Sequence, residues 1–119
     1  MIIDVHTHLG RNGNINARVD ELLRSMDAAG IEKSLVFAGS ISGCPTYEML
    51  KEIKPHTDRL YGVVAAEIGS LYPNGIFNWN YFDKFNEQLA HDNVVAAKFY
   101  LGYEHFYPDD AAVSQLMDC

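Results

Sequence analysis

The sequence predicts an α/β fold in which four strand–helix units follow one another and the strands pair in parallel. Three observations carry that reading. Short β-rich runs alternate with helical stripes along the whole chain. Loops rich in Gly, Pro, Asn and Ser separate them. A helix between consecutive strands makes a crossover connection, which is right-handed and leaves the two strands parallel.

The units read in order as follows. Ile2 to Thr7 is the first strand, and the polar loop Gly10-Arg11-Asn12-Gly13-Asn14 follows it. A helix from about Ala17 to Ala29 carries Val19, Leu22, Leu23 and Met26 at helical spacing. Asn16 can cap its start and Gly30 can end it. Ser34 to Ala38 is the second strand and Gly39 to Gly43 its loop. The next helix opens near Pro45, pre-organised for a first turn, and Pro55 limits its far end. Leu60 to Ala66 is the third strand. The connection from Gly69 to Asn80 is rich in turn formers and carries Trp79, as a covering segment would. Tyr81 to His91 makes the third helix, with Phe82, Phe85 and Leu89 as its buried stripe. Val94 to Tyr100 is the fourth strand. Asp109-Asp110 start a fourth helix, with Val113, Leu116 and Met117 apolar, and Cys119 falls within it.

Two architectures accommodate this order: a doubly wound open sheet and a segment of a (β/α)8 barrel. No Gly-x-Gly-x-x-Gly follows any strand, so a dinucleotide-binding sheet has no support. In both architectures the functional end is where the strands' C-termini meet their loops. His6, His8, Glu67 and Lys98 all fall at that end.

Composition narrows the function classes. At 119 residues the chain is one domain or part of one, and it is 48% hydrophobic and 21% charged, as globular domains are. A net charge of −7 with no Lys/Arg cluster disfavours nucleic acid as a partner. No run approaches membrane-spanning length, and residues 1–10 lack the basic start and apolar core of a signal peptide. Cys44 and Cys119 show no metal or redox spacing and are read as free thiols. The expectation is a cytoplasmic protein with no membrane partner, acting on a small-molecule substrate.

The chemistry begins in the stretch IIDVHTHLG. Side chains two apart along a strand share a face, so Asp4, His6 and His8 are expected to look one way. Three ionisable groups on one face of an apolar strand call for a partner, and a metal ion is the obvious one. Shuffling five histidines through the chain gives some His-x-His pair roughly one time in six, so the spacing alone is weak. Its place at the end of the first strand is what makes it informative. His6 and His8 are therefore expected to ligate a divalent metal, zinc by ligand type, with Asp4 orienting a ligand from behind. Val94, Ala96, Lys98 and Tyr100 are expected to share the inward face of the fourth strand. Lys98 there can bind an anionic substrate group, hold a carboxylate, or bridge two metals once carboxylated. Arg11, just past the histidine pair, can clamp a substrate carboxylate, and His105 can line the same pocket. Glu67 closes the third strand and can reach the site or pair with Lys98. His56 and His91 lie near helix C-termini, where a protonated ring is structural. Cys44 has no visible base and is not read as a nucleophile.

IIDVHTHLG, followed about ninety residues later by NVVAAKFYLGYEHFYPDD, resembles the amidohydrolase superfamily, in particular the branch that includes aminocarboxymuconate-semialdehyde-type decarboxylases. That resemblance implies the N-terminal half, about four βα units, of a (β/α)8 TIM barrel. By it His6 and His8 match the first-strand metal ligands, and Lys98 matches the lysine of a fourth-strand Gly-x-Lys-x-[His/Tyr] pattern, from which this chain departs at the glycine. It implies a metal-dependent hydrolase in which metal-activated water attacks a carbonyl-type carbon. A metal-dependent decarboxylase of an unsaturated acid and a non-catalytic half-barrel that serves assembly are the alternatives. The first strands of TatD-type deoxyribonucleases and of polymerase-and-histidinol-phosphatase-type phosphoesterases are similar too. A whole barrel of this kind needs about 250 residues. The expectation is thus a partial barrel domain over residues 1–119, completed by a missing C-terminal half or by a second copy.

Overall fold

The computed structural model describes residues 1–12, 15–37 and 44–117; at 12, 15 and 16 only the backbone is described. The strands are β1 (Ile3–His8), β2 (Gly10–Asn12), β3 (Ile15–Ala17), β4 (Lys33–Phe37), β5 (Leu60–Ala66) and β6 (Val94–Phe99). The helices are α1 (Val19–Ala29), α2 (Thr46–Ile53), α3 (Ile68–Leu71), α4 (Trp79–Leu89), α5 (Leu101–Glu104) and α6 (Ala111–Met117). Strands β1, β4, β5 and β6 form one sheet in that order, and every pair in it is parallel. The predicted fold class holds.

One side of this sheet is covered by helices. Leu60, Gly62, Val64 and Ala66 alternate along β5 and point to that side. Val36 and Leu60 join Met26 of α1 and Met49, Leu50 and Ile53 of α2 in one core. Val64 and Ala66 join Phe85 of α4, Val113 and Leu116 of α6, and Leu71 in a second. Gly62 lets α2 approach closely: a Cβ there would stand 3.0 Å from Leu50 Cδ2 and 3.3 Å from Ile53 Cδ1. The other side, called the inner face below, carries Leu35, Phe37, Tyr61, Val63 and Ala65, which pair in register across β4, β5 and β6.

Several boundaries differ from expectation, each for a local reason. The loop after β1 is an antiparallel ribbon, β2 with β3, and it takes up Asn16 and Ala17. Helix α1 therefore starts two residues late, capped at Arg18, whose N–H donates to the Glu21 carboxylate at 2.8 Å. Its end is as expected, with Gly30 left-handed at φ 69°. The stretch Gly39 to Gly43 lies outside the described residues. Trp79 is the first residue of α4 and not part of a cover, because the Asn78 side chain accepts the Tyr81 N–H and starts the helix early. Strand β6 ends at Phe99, so Tyr100 caps α5, a turn of helix with no counterpart in the predicted order. Met117 is exposed, unlike Val113 and Leu116.

Two register shifts matter more. Between Asp4 and Thr7, three steps along β1 face two along β4: Asp4 pairs with Ser34 and Thr7 with Val36, both on the helix side. Asp4 thus leaves the face that His8 shares with Phe37. In β6, Gly62 pairs with Val94 but Val63 with Ala96, so Val94 turns to the helices while Ala96 and Lys98 stay inside. Neither shift was expected.

The connections at the strands' C-terminal ends are tied to one another. The Glu104 carboxylate, at the end of α5, accepts the N–H groups of Ile68 and Gly69 at 3.1 Å each. The Glu67 N–H donates to the Tyr81 hydroxyl at 2.6 Å. These bonds satisfy the orphan donors of a helix only four residues long.

Candidate metal centre

His6 lies within the β1 shift and His8 just past it, and their rings lie together, with centroids 5.0 Å apart and planes tilted by 50°. Their Nε2 atoms are 3.2 Å apart. The Asp4 side chain fixes the strand here by accepting the His6 backbone N–H at 3.0 Å. It therefore acts on the main chain of His6 and not behind a ring, which is a correction to its expected placement.

Phe37, the last residue of β4, forms the floor. Its ring centroid lies 4.5 Å from that of His6 and 5.8 Å from that of His8. Lys98 reaches in from β6, two strands beyond β4: its Nζ stands 3.4 Å from His6 Nε2, 4.7 Å from the Phe37 centroid and 4.9 Å from the Tyr100 centroid. An ammonium held between two aromatic faces is stabilised by their quadrupoles. The sequence pointed to both histidines and to Lys98. Phe37 went unread, although its place at the C-terminal end of a strand was a usable signal.

Electrostatics favour a neutral ring at His8. Burial lowers the His8 pKa below the usual histidine range, and the neighbouring His6 and Lys98 push the same way. The Phe37 backbone pulls against them, although His8 Nδ1 is buried with no hydrogen-bond partner among the described residues. A ring that is neutral at pH 7 keeps a lone pair for a metal ion.

Other candidates stand apart. Arg11 is exposed in β2 and lines a cavity of about 310 Å³ with Leu9, Cys44 and Glu48, away from the histidine pair. Glu67 caps α3, where its carboxylate accepts the Ser70 hydroxyl at 3.0 Å, and it makes no ion pair with Lys98. His105 is exposed and left-handed at φ 60°, closing α5.

The histidine geometry suits a metal. Two imidazole nitrogens on one tetrahedral zinc, at about 2.0–2.1 Å each, lie about 3.3 Å apart. The observed 3.2 Å separation fits that chelate. It supplies half a tetrahedral shell, since among the described residues no group of three or more His, Cys, Asp or Glu side chains is arranged to hold a metal ion.

Four parallel strands covered by helices on one side, with a polar cluster where β1 and β6 end, are the arrangement of the first half of a (β/α)8 barrel. The chain is similar in structure to a probable 2-pyrone-4,6-dicarboxylic acid hydrolase from Acinetobacter baumannii, solved with citric acid bound. The TM-score is 0.66 at 16% sequence identity, over 98% of this chain. The match spans 44% of that chain, so this chain corresponds to less than half of the enzyme it resembles. No protein-family model and no curated protein matches it. Among the described residues no helix is long and apolar enough to cross a membrane.

Proposed function

We propose that this chain is the N-terminal half of a metal-dependent hydrolase of the amidohydrolase kind, acting on a small carboxylate-bearing molecule. The observation that carries the reading is the 3.2 Å separation of His6 Nε2 and His8 Nε2 on a barrel-like inner face. A bound divalent ion, zinc by ligand type, supplies Lewis acidity to water and to a substrate carbonyl. The neighbour's name as a dicarboxylic acid hydrolase and its bound citric acid support an anionic substrate.

The chain's own residues then divide the work. His6 and His8 present Nε2 lone pairs, and Asp4 holds the His6 backbone. In the present arrangement the Lys98 ammonium lies within reach of the same His6 lone pair that a metal takes. The two uses exclude each other, so a His6 that held a metal would leave Nζ free to meet a substrate carboxylate. Arg11, His105 and Glu67 reach such a substrate only after their loops rearrange. A decarboxylase uses the same residues to hold an unsaturated acid, and release of CO2 distinguishes it from hydrolysis.

The competing account of the contact is a plain His–His hydrogen bond, with one ring protonated on Nε2. Zinc titration with a competing chromophoric chelator separates the two. The metal reading expects a 1:1 complex that weakens at least tenfold in His6→Ala and again in His8→Ala. Equal affinity in native chain and double variant would sink it.

A further inference from the structure

Phe37 is buried, at 8% exposed, yet it belongs to neither of the two cores on the helix side. As the last residue of β4 it faces inward, in register with His8 on β1 and Val63 on β5. Its ring meets polar groups: the imidazoles of His6 and His8, and the Lys98 ammonium 4.7 Å from its centroid. Tyr100 offers Nζ a second ring at 4.9 Å. A buried ring set among ionisable groups points to a role in the site and not in the core.

The Lys98 ammonium thus has two holds of different kinds. One is the contact of Nζ with His6 Nε2, long for a hydrogen bond at 3.4 Å, and it needs the imidazole lone pair. The other is the pair of aromatic faces, whose quadrupoles attract a cation with no lone pair to lose. A metal at His6 Nε2 ends the first hold and leaves the second in place. We infer that Phe37 is a positioning residue: with Tyr100 it keeps the Lys98 ammonium at the mouth when His6 Nε2 is occupied. That charge then stays where an anionic group of a substrate would meet it. This purpose rests on the hydrolase reading given above, whereas the hold itself is tested without metal.

The first arm of the test is NMR on the 119-residue chain in EDTA, reading the Lys98 ε-methylene protons, which a ring face shifts upfield. The upfield shift is expected to persist in His6→Ala, where the lone pair is gone. In Phe37→Leu, which keeps an apolar floor but removes one of the two rings, it is expected to lose about half its size. Phe37→Tyr restores a ring and is expected to match the native chain, which guards against a leucine variant that misfolds. The second arm is zinc affinity by chelator competition. Phe37→Leu is expected to raise it about threefold where Lys98 is present, because a released ammonium no longer crowds His6, and to leave it unchanged in a Lys98→Gln background. Loss of the upfield shift in His6→Ala overturns the inference, and so does its survival intact in Phe37→Leu. The same change on Phe37→Leu in both Lys98 backgrounds, or none in either, marks a plain packing role and overturns it too. A native chain that binds no zinc defeats the hydrolase reading, and the NMR arm then decides on Phe37 by itself.

Discussion

His8 is the more confined of the two rings at the mouth, with a buried Nδ1 and a pKa held down chiefly by burial. On the proposed metal reading its loss is therefore expected to weaken zinc binding more than loss of the half-exposed Lys98, whose Nζ contacts His6 Nε2 at 3.4 Å and would compete with a metal there. Lys98→Gln is expected to leave zinc affinity equal or raised, and a tenfold fall would contradict that competition. Tyr81 gives a pH prediction at the same scale. Burial pushes its hydroxyl up to about 12, against the Glu67 N–H bond, which favours the ionised form. The unfolded chain releases this proton from about pH 10 while the folded chain keeps it. Stability is thus complete below about pH 10 and falls as pH rises toward about 12. The loss is about 1 kcal/mol once partial exposure is allowed for, and Tyr81→Phe should flatten urea midpoints across that window.

At the scale of elements, packing sets the penalties. Phe85 of α4 is 2% exposed and anchors the second core, so Phe85→Ala should cost about 3–5 kcal/mol in urea unfolding. Gly62→Ala places a methyl group 3.0 Å from Leu50 Cδ2 on α2, and a loss of about 1–3 kcal/mol is expected. These elements were legible in the sequence because period and punctuation carry them: β5 falls where it was read, and Gly30 ends α1 as read. What the sequence hid were the two register shifts. A bulge adds one residue to one strand of a pair, and alternation counted along a single strand cannot see its partner. That is why Asp4 and Val94 were put on the wrong face while His8 and Lys98, beyond the shifts, fall on the face expected of them. The short helix α3 was also hidden, since its donors are satisfied by Glu104, 35 residues on from Gly69.

At the scale of the molecule, the sheet is a half-turn of barrel with its two middle strands paired on both sides and its outer strands on one. Hydrogen exchange on the isolated chain should find the slowest amides in β4 and β5 and faster ones along the free edges of β1 and β6. Uniform protection across all four strands would mean that the edges are already paired. The parallel order was legible from the alternation of elements, whereas the faces that Asp4 and Val94 take emerged only once register was fixed. Glu104 has a consequence on this same scale. One carboxylate grips the first turn after β5 from the segment that follows β6, so the rims of two neighbouring units share a single fastening. Cutting it by Glu104→Ala should let both rims loosen in step, and relaxation measured on either would report the release of the other.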